Sequence, residues 1–277
     1  MYKKSLICFL LLTFIVTYLM GLIVFLNGGL EEQNALANAI MFIPAIIAII
    51  IWVIFHNKHS FRAFFKFRLG SWKSWLIYPT LMTMLIALTY SITFLLSPSQ
   101  FLNGQEIAEI MSNLPTYIDG YPLAINVLTP LLLNTVLGTV LILPLFIGEE
   151  LGWRGYLYPV LFSSLSKKGL VIGGIIWGLW HLPVLLMGHN YPDTPLLGMF
   201  MITLFCISMG IILFYAYIKS GSIIIPSLMH GVIKQMSSTI TDLFIDQDVH
   251  NPLVFGPTGL IGIIIFTFIA VFLYRKI

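Results

Sequence analysis

Almost wholly apolar stretches recur along this chain, each about the length that crosses a hydrocarbon core about 30 Å thick at about 1.5 Å per helical residue. They lie roughly at 5–26, 37–56, 75–97, 123–148, 169–187, 197–218, 222–245 and 257–274. An ordinary soluble domain carries about 25% charged residues; here 9% are charged and 58% hydrophobic, at a mean hydropathy of +0.97. The pattern predicts an all-α, polytopic transmembrane helical bundle of about eight helices, forming one integral membrane domain over residues 1–277. There is no internal repeat, low-complexity tract or second domain. The first run follows Lys3 and Lys4 as a signal peptide would, but no small-x-small cleavage site precedes Asn27-Gly28-Gly29, so it reads as a retained helix. Cys8 and Cys206 both fall within spans, which supports neither a disulfide framework nor a cysteine-based metal site.

Basic residues set the expected topology, because Lys and Arg in short loops mark the cytoplasmic side. Lys3 and Lys4, then Lys58, Arg62, Lys66, Arg68 and Lys73, then Lys167 and Lys168, then Lys219, then Arg275 and Lys276 occupy alternate connections. The remaining connections hold Glu31, Glu32, Glu106, Glu109, Asp119, Asp193, Asp246 and Asp248, with no Lys or Arg. Eight crossings of a cell membrane with both termini cytoplasmic satisfy every segment. The formal net charge of +3 then reflects topology and gives no reason to expect nucleic acid as a partner.

Residues 57–73 mix Phe61, Phe64, Phe65, Phe67 and Trp72 with basic side chains, which predicts an amphipathic helix lying in the inner interface against anionic lipid. A plain cytoplasmic loop explains the charges equally. Residues 98–122, bounded by Pro98, Pro115 and Pro122, form the longest outer loop, with a short helix near 105–113.

Three clusters place ionisable groups in oily surroundings: Gly148-Glu149-Glu150-Leu151-Gly152-Trp153-Arg154, Trp177-Gly178-Leu179-Trp180-His181, and His230-Gly231-Val232-Ile233-Lys234. A charge at the centre of a spanning helix costs roughly 2.5–3.5 kcal/mol, so such residues are functional-site candidates. Glu150 and Arg154 stand four apart, within pairing reach on one helix face, while Glu149 is turned about 100° away. Arg154 is then the counter-ion of Glu150, and Glu149 is the free base. An unpaired carboxylate in a low-dielectric pocket holds its proton more tightly, toward the range where a general base works at neutral pH. Pro183 frees a carbonyl one turn before it and loosens the helix beside His181; Pro226 precedes His230. Counting about 1.5 Å per residue from the basic loops puts Glu149, His181 and His230 on one level, nearer the cytoplasmic side. Gly148 and Gly152, and Gly174 and Gly178, have the small-xxx-small spacing that permits close helix approach. Trp153, Trp177 and Trp180 are expected to wall the pocket. Asp242 and Lys234 are ambiguous, each placed where it can face a water-filled cavity near its helix end, and His56, His59, His189 and His250 sit at loop edges outside the site.

These residues resemble the CAAX-prenyl protease and bacteriocin-processing (Abi) family of intramembrane endopeptidases. Its pattern is Glu-Glu-x-x-x-Arg, an aromatic-x-x-x-His, and His-x-x-x-Asn or Asp. Glu149, Glu150 and Arg154 match the first, Trp177 and His181 the second with Trp for the usual Phe, and His230 the third with Lys234 where Asn is expected. The motif-bearing core is about 130–240. The resemblance implies peptide-bond hydrolysis in a cavity open toward the cytoplasm. Glu149 would activate water with help from His181, which would also pass a proton to the leaving amine, and His230 with residue 234 would stabilise the oxyanion. Lys234 either replaces the amide donor or pairs with a carboxylate and locks the site; Gln235 is a substitute donor rotated about 100°.

The resemblance favours a glutamate mechanism without a cofactor. Two histidines and a carboxylate are also a legitimate zinc set, so zinc on Glu149, His181 and His230 is the alternative. The expected partners are the lipid bilayer and a peptide or membrane-protein substrate, in peptide or bacteriocin processing or self-immunity. Other functions compatible with the residues are a non-catalytic immunity or scaffold protein and a proton-coupled transporter, although no inverted repeat of broken helices is seen.

Overall fold

The computed structural model describes residues 2–277, and their regular structure is helical; among the described residues the sole β pairing is an isolated bridge between Phe101 and Ile245. Helix α1 spans Tyr2–Leu26, α2 Asn34–His56, α3 Trp72–Leu96, α4 Gly104–Ser112 and α5 Leu123–Leu141. The chain continues through α6 Leu143–Gly152, a π turn over Trp153–Leu157, α7 Tyr158–Leu165, α8 Lys168–Trp180, α9 Leu182–Leu186, α10 Pro195–Ser220, α11 Ile224–Phe244 and α12 Leu260–Lys276. The protein is a multi-pass membrane bundle.

Five helices, α1, α2, α3, α5 and α10, are long and apolar enough to cross a bilayer by themselves. The helices that carry the polar clusters are not, for a physical reason: α8 stops after 13 residues at His181, and α11 carries His230, Lys234 and Asp242 along its length. The run predicted to end near 148 instead extends as one helical path to Leu165. It bends at Ile142 ahead of Pro144, and Pro159 does not end it, because the π turn before it re-phases the backbone. Likewise the span at 169–187 breaks at His181. Pro183 leaves the Leu179 carbonyl without its helical donor, and the Tyr18 hydroxyl supplies one at 3.0 Å.

The expected interfacial helix at 57–73 is reduced to the single turn Phe61–Phe64, capped by Ser60. Phe65 is instead fully buried against Phe61, Phe64 and Trp52 and serves the protein core, while Phe67 and Trp72 stay exposed. The short helix in the long outer loop forms as α4, with a capping box between Asn103 and Glu106.

The small-residue stripes do allow close approach, but to the flanking helices. A Cβ on Gly148 would lie 2.9 Å from the Met41 carbonyl oxygen and one on Gly152 would collide with Pro44, so α6 packs backbone to backbone on α2. Gly178 similarly admits Thr203 of α10, whose Cα is 2.7 Å from where a Cβ would stand. These contacts seat α6 and α8 so that their polar residues turn inward toward α11.

The two ends of the bundle differ in chemistry. At one, Arg68 holds Gly221 and Ser222 by hydrogen bonds, and the Lys167 ammonium is 3.5 Å from the Arg275 carbonyl. At the other, Leu102 N–H donates to the Phe244 carbonyl (2.9 Å), Asp246 N–H to that of Gln100 (3.0 Å), and the Tyr191 hydroxyl to that of Thr258 (2.7 Å). The first end gathers the basic connections and the second the acidic ones.

Candidate functional site

The 100° turn between consecutive helical residues decides where the two glutamates go. Glu150 faces α11 and accepts two hydrogen bonds on one oxygen: Arg154 Nη1 and His230 Nδ1 each lie 2.9 Å from its Oε1. Glu149 faces α8, where Trp177 Nε1 donates to its Oε2 at 3.2 Å. Arg154 and Glu150 are 0% exposed, while Glu149 keeps 4%. The Arg154 guanidinium also lies over the Trp177 ring at 4.0 Å and the Tyr158 ring at 4.9 Å, which offsets the absence of hydrogen-bond partners at its Nε and Nη2.

Trp177 is the junction of the three clusters. Its side chain binds Glu149, its carbonyl oxygen is 2.9 Å from His181 Nδ1, and its ring stands edge-on to His230 with centroids 5.5 Å apart. A carbonyl accepts only from an N–H, so His181 carries a proton on Nδ1; His230 likewise donates from Nδ1 to the Glu150 carboxylate. Both imidazoles are thereby fixed in orientation, with Nε2 left for chemistry. Phe146, with its ring centroid 4.8 Å from that of His230, closes the other side.

His181, His230, Trp177 and Lys234 line a cavity of about 480 Å³, within the usual range of roughly 300–1,000 Å³ for ligand sites. Its further walls come from Tyr90, Asn190, Asp193, Gln247 and the segment from Pro252 to Thr258. Glu149 is not on the wall; its carboxylate sits against Trp177. Of the three tryptophans expected to wall the pocket, only Trp177 does so. Trp180 instead donates to Thr17 at 2.8 Å, and Trp153 is buried edge-on to Trp180. Gln235 lies against Gly138 and is no substitute donor. Lys234 makes no hydrogen bond or ion pair with a carboxylate among the described residues, so it does not lock the site; it is exposed on the cavity wall one turn beyond His230.

The cavity opens at the acidic end of the bundle, between residues 188–194 and 246–258, and away from the basic connections. This corrects the expectation of a mouth on the side of the Lys and Arg loops. It also brings in two residues read as peripheral, His189 and His250, and places Asp242 on the cavity wall. Burial pushes the His189 imidazole down to about 3, with the Lys234 ammonium and His181 adding to the effect. Only Asp242 and Lys234 showed this in the sequence, through their position on an apolar helix; the loop histidines had no local signal. His56 lies elsewhere, stacked on Phe64.

Among the described residues no three His, Cys, Asp or Glu side chains are grouped so as to hold a metal ion. Within the alternative zinc set itself, Trp177 donates to one oxygen of Glu149, and His181 and His230 are held through Nδ1.

Residues 129–236, which include Glu149, Glu150, Arg154, Trp177, His181, His230 and Lys234, match the model of the Rce1-like family, type II CAAX prenyl endopeptidases. A relative from Methanococcus maripaludis named CAAX prenyl protease 2 is 46% identical over 44 residues, 16% of this chain and 16% of the relative. The resemblance to CAAX-type proteases therefore holds over the helices that build the cavity floor.

Proposed function

We propose that this protein is an intramembrane endopeptidase that hydrolyses a peptide bond by a glutamate-activated water, without a metal cofactor. The observation that carries this reading is the junction at Trp177, which holds Glu149 directly behind the cavity wall that His181 and His230 line, within the residues that match the protease family. Water attack needs a base within hydrogen-bond reach, and the developing oxyanion needs donors already in place. Glu149 takes a proton from water as its oxygen attacks the peptide carbonyl carbon. The C–N bond then breaks as that proton reaches the amine nitrogen through His181 Nε2, so that one water is consumed and an acid and an amine leave.

His230 donates to the oxyanion from Nε2 when doubly protonated, and Glu150, 2.9 Å from its Nδ1, is the counter-charge for that state. The Lys234 ammonium, on the same helix face one turn on, supplies a second donor where the family pattern has an amide. The substrate is a peptide or a membrane-protein segment, in peptide or bacteriocin processing or self-immunity. The chain sits in the cell membrane with both termini cytoplasmic, as supported by the division of basic and acidic connections.

Comparative peptidomics of cells carrying wild-type protein or Glu149→Gln tests the reading. Products that vanish with the isosteric change, while the protein still accumulates in the membrane, support it; identical peptidomes refute it. Metal analysis of the purified protein, with activity measured after chelation, decides the cofactor: stoichiometric metal whose removal abolishes cleavage refutes the metal-free mechanism. A second reading, a non-catalytic immunity or scaffold protein, is favoured by the Trp177 N–H held on Glu149. It requires that Glu149→Gln leave function intact.

A further inference from the structure

We propose that the cavity takes its peptide from the outer face of the membrane, so that the substrate is an exported peptide or an extracytoplasmic segment of a membrane protein. Two independent observations combine to give this. Every Lys and Arg except Arg154 and Lys234 lies in the connections or helix ends at one end of the bundle, and the connections at the other end are acidic with no basic residue. Arrangements of this kind place the basic end in the cytoplasm, since Lys and Arg in short loops resist translocation. The cavity, however, is built from the opposite end. His189, Asn190, Asp193, Gln247 and His250 belong to acidic-end loops, and His181 and His230 form its floor.

Access from the basic end is closed by packing. Below the site, Arg154 is fully buried under Trp177 and Tyr158; Leu157, Tyr217 and Ile223 are each at most 2% exposed. Arg68 then ties the loop after the Phe61–Phe64 turn onto Gly221 and Ser222. The cavity's polar lining therefore continues into the acidic-end loops and not into the buried layer beneath it. A cytoplasmic peptide would have to pass about 20 Å of packed helix, the length of α8, to reach His181, while a peptide on the outer face meets Asp193 and Asp242 at the mouth and Lys234 on the way down.

The word substrate rests on the peptidase reading above, but the sidedness of the mouth does not, and the experiment separates them. In the full-length chain with Cys8→Ser and Cys206→Ser, single cysteines are introduced at exposed Asp193 (Asp193→Cys, cavity mouth), Asp248 (Asp248→Cys, acidic end) and Lys58 (Lys58→Cys, basic end). Intact cells are treated with a membrane-impermeant sulfonated maleimide, before and after permeabilisation. The expected result is labelling of positions 193 and 248 in intact cells and of position 58 only after permeabilisation; the reverse pattern overturns the proposal. In a second arm, a bulky impermeant maleimide on Asp193→Cys should reduce Glu149-dependent cleavage at least tenfold, with Asp248→Cys as the labelled control. Undiminished cleavage after complete labelling at 193 overturns access through this mouth. If no Glu149-dependent product exists at all, the peptidase reading fails while the labelling result still decides the sidedness.

Discussion

Replacing Arg154 by methionine tests whether the polar centre is desolvated to the degree its burial implies. Arg154 and Glu150 are both 0% exposed and 2.9 Å apart. Removing one partner of a buried pair costs about 3–5 kcal/mol, because the other charge is left without compensation. Here His230 still donates to the same carboxylate oxygen, which holds the loss near the lower bound of about 3 kcal/mol. Loss of the stacking on Trp177 adds about 1–2 kcal/mol for a desolvated cation over a ring. At about 2–4 °C per kcal/mol for a chain of this size, Arg154→Met should lower Tm by roughly 8–20 °C in detergent micelles, followed by near-ultraviolet circular dichroism. The double variant Arg154→Met/Glu150→Gln should recover at least about 1 kcal/mol relative to the sum of the single changes, as contacting residues do. An Arg154→Met protein within about 1 kcal/mol of wild type, or strict additivity in the double variant, would show that water reaches the pair and would undo the desolvation argument.

Trp177→Phe keeps an aromatic ring beside His230 but deletes the donor to Glu149; losing a hydrogen bond to a charged group should cost about 1.5–3 kcal/mol, read from the same unfolding curves, and a Tm equal to wild type would mean the 3.2 Å bond carries no weight. Gly178→Ala sets a Cβ 2.7 Å from Thr203 Cα, so overpacking of about 1–3 kcal/mol is expected, whereas Gly104→Ala, with nothing within 4 Å, should be neutral or stabilising. His189 is held neutral by burial, its folded value lowered from 6.5 to about 3. The unfolded chain therefore binds a proton that the folded chain refuses. Stability from this group is complete above pH 6.5 and falls as the pH drops toward 3, and His189→Gln should flatten that part of the Tm-against-pH profile; an unchanged profile would refute it.

Much of the helical scaffold was legible because hydrophobicity and turn angle are local properties. Spans follow from runs of apolar residues, and the Glu150–Arg154 pair follows from a four-residue spacing on one helix. The same reasoning failed where a helix changes phase. It did not reveal the π turn at Trp153–Leu157, which carries the path past Pro159, nor the collapse of the 57–73 segment to one turn, because buried Phe65 gains more from the core than from lipid. At the site, sequence spacing separated the two glutamates by face. It did not show that one Glu150 oxygen would serve both Arg154 and His230, since that bond joins residues 80 positions apart.

By itself, then, the sequence determined an all-helical membrane bundle with a basic and an acidic end, and it named the glutamates, arginine and histidines at its centre. Only the tertiary structure decided that Trp177 joins them, that His189, His250 and Asp242 share their cavity, and that the cavity opens at the acidic end. Hydropathy and helical angle are settled within a few turns of chain, whereas an unfilled volume is what remains after distant helices and loops have packed against one another.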